Sequence, residues 1–430
     1  MTTAITVFSI TYLFLILEKI PRYIVSMVGA LIVIISGVLS MEDAIHFISW
    51  ETIGLLLGMF IIIRVLEEGN FFNYLAVKIM ELVKFDIKKV YFIFPIITAI
   101  LSGFMDSITV LLFFTILTVN LCKMFEINPV PLVIAEVCTS NIGGSGTLVG
   151  DPPNVIIGNM LGYTFNDFVM NTGPIALIAT IVVTIFFFIL NYKSIKNAKV
   201  ITDVEKETIL EDNKITDEKY VKVGLAAFII AIAMLVLHPI INKALGFNIN
   251  ASCSTLLPAF ICLIYFGNKS EEILKSIDSV TLLFFMGLFI VIGALEKTGV
   301  IAKISNYIIN LSGNSGITLS IVLIIGCGVI SALVDNVPMA LTMTYVLMNI
   351  LNSSPELMTM KNDLVWSLAL GLDIGGNMTP IGASANVMAY SILEKNNIRI
   401  GWGRWLKLAV PPTILALGIS VIGIYVSIRF

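Results

Sequence analysis

Residues 139–154 read TSNIGGSGTLVGDPPN, and no helix can run unbroken through them. Glycines at 143, 144, 146 and 150 and the Pro152-Pro153 pair are the residue types least able to continue a helix. Yet the surrounding chain is 57% hydrophobic and 13% charged, with a mean hydropathy of +0.98. A soluble domain carries about 25% charged residues. Several segments approach the roughly 20 apolar residues that a spanning helix needs, so the chain reads as a membrane protein. Non-helical backbone at membrane depth survives only inside protein or on a cavity. The stretch is therefore expected to be a helix break at a working site rather than an exposed loop.

The remaining composition narrows the function classes. Cys122, Cys138, Cys253, Cys262 and Cys327 form no CxxC pair, so neither a disulfide framework nor a thiolate metal site is indicated. Cys138 reads as a small packing residue, and His46 and His238 as surface residues near span ends. A net charge of −3 gives no reason to expect a nucleic-acid partner. The first apolar segment has no basic residue before Lys19 and reads as a span rather than a cleaved signal.

In order, the chain predicts spans at 3–18 and 23–40, joined by a Lys19-Ile20-Pro21-Arg22 turn, and a polar connection at 42–50. A third span covers 51–66, and an interfacial amphipathic helix 70–84. Two short apolar arms, 90–102 and 108–122, meet at Ser102–Ser107 and predict a re-entrant hairpin. A broken helix follows at about 129–162, then a last span at 173–192. Residues 193–222 hold seven lysines and seven acids and read as a solvated linker.

The second half then repeats the first. An offset of 229 residues places Thr52, Gly58, Phe60, Leu66, Glu67, Ser102 and Asp106 on Thr281, Gly287, Phe289, Leu295, Glu296, Ser331 and Asp335. An offset of 232 places Asn141-Ile142-Gly143-Gly144 on Asp373-Ile374-Gly375-Gly376, and Thr147, Gly150 and Asn154 on Thr379, Gly382 and Asn386. The expected fold is an all-α polytopic membrane protein of two inverted repeats, 1–192 and 223–430, each of five spans. In the second repeat the hairpin falls at about 315–350 and the broken helix at about 363–394. With the linker cytoplasmic, Lys19, Arg22, Lys78, Lys84, Lys123, Lys395 and Lys407 join it inside, while Lys243, Lys297, Lys303, Lys361 and Arg429 fall outside. Both termini are then external. Inverted repeats with discontinuous helices are the design of a secondary transporter, with its site at the repeat interface.

Asp106 and Asp335, at the two hairpin tips, are the sharpest site candidates, because a carboxylate inside the bilayer costs roughly 2.5–3.5 kcal/mol on insertion scales. A transported sodium ion or a coupling proton would hold them there; N-capping of the returning arm is the structural alternative. Ser107 and Asn336 follow them. Broken helices offer carbonyls to a cation and N–H groups to an anion. Here the candidates are Ser140, Asn141, Gly143, Gly144, Ser145, Thr147, Asp151 and Asn154 in the first break. In the second they are Asp373, Gly375, Gly376, Asn377, Thr379, Ser384 and Asn386. Asp151 and Asp373 have non-acidic counterparts. No cofactor is expected. An intramembrane aspartyl protease would need Gly-x-Gly-Asp, but Leu148 precedes Val149-Gly150-Asp151; no HExxH motif occurs either, so no enzyme is expected. A channel, which also uses hairpins and broken helices, stands as an alternative.

The segments NIGGSGTLVGDPPNVIIG, SALVDNVPMALTM and GGNMTPIGASANVMAY resemble the permeases grouped with the melanosomal P protein, within the wider set of arsenite-efflux (ArsB) permeases and NhaD-type sodium/proton antiporters. The resemblance covers essentially the whole chain. It implies the ion-transporter superfamily fold, a homodimer, an elevator-type movement, and a location in the inner or plasma membrane. It does not imply the substrate, since the group's names cover arsenite, sodium, silicon and organic anions. With Asp106 and Asp335 favouring a cation or proton, the expected cargo is a small inorganic ion or anion, with arsenite or antimonite efflux and sodium/proton antiport foremost. Sodium-coupled transport of an organic carboxylate is the alternative; its Ser-Asn-Thr triplets are not intact here, since Ile142 follows Ser140-Asn141.

Overall fold

A computed structural model describes residues 1–17, 19–313 and 315–429. All regular structure among them is helical. Helices α1 (Thr2–Leu17) and α2 (Arg22–Ile35) open the chain, with Pro21 at the N-cap of α2. The expected polar connection at 42–50 is instead mostly a short helix, α3 (Met41–Phe47). Its cause is a capping box: Ser40 Oγ accepts from the Asp43 N–H, and the Asp43 carboxylate accepts from the Ser40 N–H. Next come α4 (Trp50–Glu68) and α5 (Phe71–Leu82), then the hairpin arms α6 (Ile87–Ser102) and α7 (Ser107–Met124).

The central helix comes in two pieces, α8 (Val130–Gly144) and α9 (Pro152–Leu161). Residues 145–151 alone are non-helical, so the break is shorter than the 139–154 expected. Gly143 and Gly144 stay helical at the end of α8. Pro152 and Pro153 fall in the first turn of α9, where a missing N–H would have had no helical partner. Helix α10 (Phe165–Lys196) runs past the predicted span at both ends, started by a Thr164–Asp167 capping box. The linker contains one short helix, α11 (Asp203–Asp212), largely exposed but with Ile209 buried.

The second half begins with α12 (Glu218–Leu245), α13 (Ala251–Phe266), α14 (Ser270–Ser276), α15 (Ser279–Lys297) and α16 (Val300–Ser312). His238, expected at the surface, is buried in α12, its Nδ1 3.1 Å from Leu235 O. One hairpin arm is α17 (Gly316–Ile321), a π turn at Val322–Gly326, and α18 (Cys327–Ser331); the other is α19 (Asn336–Ser353). After α20 (Pro355–Met358) a second broken helix consists of α21 (Lys361–Gly376) and α22 (Ser384–Lys395), and α23 (Gly401–Arg429) ends the chain.

Among the described residues, six helical segments are long and apolar enough to cross a membrane, or up to eight if each of two bent pairs is one span. Their outer faces carry exposed apolar side chains, such as Ile189, Ile229, Ile264 and Ile422, a surface suited to lipid. Helices α4, α12 and α13 pack together, as do α1, α2 and α15, while α10 packs on α6 and α8 and α23 on α21. The first halves of the broken helices are the reverse of the outer ones. Every residue of α8 except Gly143 is buried, and so is every residue of α21 from Leu364 to Gly376.

Candidate functional site

The two breaks are built by the same side-chain bonds. Asn154 Nδ2 donates to the carbonyls of Gly144 and Thr147, both at 3.0 Å. Asn386 Nδ2 donates to those of Gly376 at 2.9 Å and Thr379 at 2.8 Å. Each amide thereby binds the last carbonyl of the preceding helix, one of those left open where a helix ends, and one carbonyl of the loop. A threonine in each loop ties it to the neighbouring hairpin turn: Thr147 Oγ1 donates to Gly103 O, and Thr379 Oγ1 to Ala332 O. Deeper in, the Ser102 and Ser140 hydroxyls bond each other, and Ser331 Oγ donates to Leu372 O at 2.7 Å. Ser145 Oγ turns back to Ile142 O at 2.7 Å.

Glycine is required where the hairpins lie on the central helices. A Cβ on Gly143 would sit 2.1 Å from Ala99 O in α6, and one on Gly375 would sit 2.2 Å from Gly328 Cα in α18.

Above the breaks lies a cavity of about 250 Å³. The tip of the first hairpin lines it with Asp106 and Ser107, and the start of the second returning arm with Asn336. Asp151 and Pro152 reach it from the head of α9, Ser384 and Ala385 from the head of α22, and Arg22 and Asp278 from the heads of α2 and α15. Asp106 also caps α7, accepting from the Thr109 N–H at 3.1 Å, so the capping and cavity-lining readings hold together. Asp151 Oδ2 accepts from Asn336 Nδ2 at 3.1 Å, which joins the first break to the second hairpin.

Asp335 faces a different partner. Its Oδ2 accepts from Arg22 Nη1 at 2.5 Å and from Ser384 Oγ at 3.0 Å, and the same guanidinium nitrogen reaches Ser384 Oγ at 2.7 Å. The head of α2, the turn before α19 and the second break are thus pinned at one point. Asp106, Asp151 and Asp278 remain as three cavity carboxylates against a single arginine already engaged by a fourth. Such a rim concentrates cations. The N-terminal ends of α9 and α22 at the same cavity favour negative groups. The cavity therefore offers opposite preferences a few side chains apart.

The sequence candidates separate by position. Asp106, Ser107, Asp151, Asn336 and Ser384 line the cavity. Ser140, Asn141, Asn154, Asp373, Asn377 and Asn386 are fully buried behind it. There Asn141 Nδ2 donates to Asn377 Oδ1 at 2.7 Å and Asn386 Oδ1 at 3.0 Å, while Trp405 Nε1 holds Asn377 O at 3.2 Å. Gly143, Gly144, Ser145, Thr147, Gly375, Gly376 and Thr379 form the framework of the breaks. Cys138 is buried, as a packing residue should be.

Arg22 and Asp278 at the cavity, and Glu136 within α8, lie outside the hairpin tips and breaks that the sequence pattern marks. Arg22 reads as part of a cytoplasmic turn, and Asp278 belongs to no motif. Glu136 is a lone acid in the apolar run of α8, a signal that marks intramembrane function by default. It is fully buried, and its Oε1 accepts from Thr118 Oγ1 at 2.5 Å.

A family model described as a citrate transporter (CitMHS) matches residues 12–371 and 303–429. A 46 kDa membrane protein of Mycobacterium leprae is 31% identical over 99% of this chain and 98% of its own length. An uncharacterized transporter of Mycobacterium tuberculosis is likewise 31% identical, over 99% and 98%. The P protein of Homo sapiens is 27% identical over 98% of this chain, which spans 59% of that longer relative. Among solved structures, the YdaH transporter of Alcanivorax borkumensis has a TM-score of 0.62 at 14% identity, covering 90% of this chain and 87% of its own. MtrF of Neisseria gonorrhoeae, described within a class of antimetabolite efflux pumps, has a TM-score of 0.57 at 15% identity, covering 92% and 83%. Those two share the fold. With relatives aligned end to end and a family match over most of its length, this chain belongs to the CitMHS citrate-transporter family of membrane transporters.

Proposed function

We propose that the protein is a secondary active transporter that moves a small ion through the acid-lined cavity, coupled to protons or sodium. The observation that carries this reading is the convergence of Asp106, Asp151 and Asn336 on one cavity, from both hairpins and a helix break. In this reading the halves are inverted repeats, and the hairpins and broken helices form a unit that moves like an elevator against the surrounding helices. The Arg22–Asp335 ion pair, which bridges the two groups, holds the present conformation and opens when the unit moves. The protein works as a homodimer in the inner or plasma membrane, with the linker cytoplasmic and both termini outside. Cysteines placed at Asp167 and Glu205 are expected to react with a membrane-impermeant thiol reagent from opposite sides; labelling from one side would remove this topology.

Sodium/proton antiport and arsenite or antimonite efflux fit the carboxylate rim and the resemblance to the wider permease group. A second reading, an organic carboxylate as cargo, is favoured by Arg22 and Ser384 at the head of α22 and by the family's description. Proteoliposomes with sodium and pH gradients imposed separately, and with arsenite, citrate or sodium as cargo, separate these readings. Asp106→Asn and Asp335→Asn are each expected to abolish uphill flux of whichever cargo the wild type accumulates. Wild-type accumulation in both variants would remove the roles given to the tips, and flux that does not saturate would favour a channel.

A further inference from the structure

The two asparagine clamps differ in one respect. In the second break, Asn386 commits both N–H groups to the carbonyls of Gly376 and Thr379, so the atom it presents to the first broken helix is Oδ1. These carbonyl partners fix the amide orientation, because the flipped form would set oxygen against oxygen. Asn141 Nδ2 meets that Oδ1 as a donor. In the first break, Asn154 commits both N–H groups to Gly144 and Thr147 in the same way and likewise presents Oδ1. At the position that the offset of 232 residues makes the counterpart of Asn141 stands Asp373. Among the described residues no donor reaches Asn154 Oδ1 or either carboxyl oxygen of Asp373, and both side chains are fully buried. An ionised Asp373 would set acceptor against acceptor in a buried site, an arrangement that costs the full desolvation of both groups.

We propose that Asp373 binds a proton and donates it to Asn154 Oδ1, so that this proton does in the first clamp what the Asn141 amide does in the second. The site takes a proton as its ligand and lies apart from the carboxylates that face the cavity. The helices packed against α21 carry Glu136 and Cys138 on α8, Cys327 on α18, Tyr345 on α19 and Asp151 at the head of α9. Helix α10 adds Asp167, Tyr192, Lys193 and Lys196, and α23 adds Arg404, Lys407, Tyr425 and Arg429. Of these, Asp151 interacts electrostatically with Asp373. Losing the proton turns Asp373 into an anion against Asn154 Oδ1, which loosens the clamp on Gly144 and Thr147 and so shifts the loop that carries Asp151 into the cavity. The use of this proton in a transport cycle rests on the transporter reading; its presence on Asp373 does not.

The test is infrared difference spectroscopy on the full-length protein in lipid nanodiscs at neutral pH. The wild type minus Asp373→Asn spectrum is expected to show one protonated-carboxyl C=O band, and isotope-labelled aspartate should shift that band in the wild type. Asp373→Asn supplies an amide donor in place of the proton and should keep the wild-type melting temperature within a few degrees. Asp373→Leu supplies none and should melt clearly lower. Three results overturn the proposal: no protonated aspartic band in the labelled wild type, ionised carboxylate bands alone in the difference spectrum, or equal melting of the asparagine and leucine variants. A melting temperature that rises in sodium chloride over choline chloride, in the wild type but not in Asp373→Asn, also overturns it, by assigning these oxygens to sodium. If no cargo is accumulated in liposomes while the aspartic band is present, the transporter reading fails and the proton assignment stands.

Discussion

Arg22→Gln is expected to destabilise the protein by about 3 kcal/mol, near the lower end of what removing one partner of a buried ion pair costs. The lower end applies because the Arg22 side chain retains 23% exposure, against 8% for Asp335. Most of the loss comes from leaving the Asp335 carboxylate in place without its guanidinium. Removing both charges, in Arg22→Gln with Asp335→Asn, is therefore expected to be less destabilising than Arg22→Gln alone. The measurement is a double-mutant cycle on melting in detergent, supported by chemical denaturation. Strict additivity of the two single changes would show that the pair is not an energetic unit. In liposomes, Arg22→Gln should also slow the transport cycle, since the same contact joins the outer helices to the hairpin tip.

The second large effect is expected at Gly143 and Gly375. Overpacking a well-filled site costs about 1–3 kcal/mol where neighbouring side chains can shift. Here the neighbour is backbone: Ala99 O would lie 2.1 Å from a new Cβ on Gly143, and Gly328 Cα would lie 2.2 Å from one on Gly375. Either alanine must push a hairpin arm off its central helix, which places the cost at about 3 kcal/mol or above on the same scale. Gly143→Val should leave almost no monodisperse protein on size-exclusion chromatography, and Gly143→Ala should melt well below the wild type. Gly403, where a Cβ would meet nothing within 4 Å, is the matched control and should tolerate alanine.

Much of this architecture is legible in the residues because membrane depth leaves few uses for Gly, Pro, Asn and Asp. The interruptions at 145–151 and 377–383 fall within the stretches those residues mark. The first break is shorter than its composition suggests, because a propensity penalty of roughly 1 kcal/mol for glycine is small beside the close packing that Gly143 permits. The helix at Met41–Phe47 is hidden behind its polar residues, although Ser40 and Asp43 carry its capping box in plain sequence. Arg22 is a different case. It meets Asp335 across 313 residues of chain, and no local pattern around Lys19-Ile20-Pro21-Arg22 specifies so distant a partner. Glu136 is detectable from its solitary charge; Asp278 is not, since a cap before an apolar helix is ordinary chemistry.

The asparagine clamps and threonine ties bear on how fast cargo can be handled. Both loops are held by Asn154, Thr147, Asn386 and Thr379 through bonds within the protein itself. The walls of the cavity are thus preorganised, and in the proposed transporter an arriving cargo would not have to order a loop in order to be bound. Under the proposed ion-transport reading, affinity would depend on exchanging the ion's hydration shell for fixed oxygens, with little conformational entropy lost at each turnover. Calorimetry on such a site should show a small heat-capacity change, as befits a polar cavity whose shape is complete before its occupant arrives.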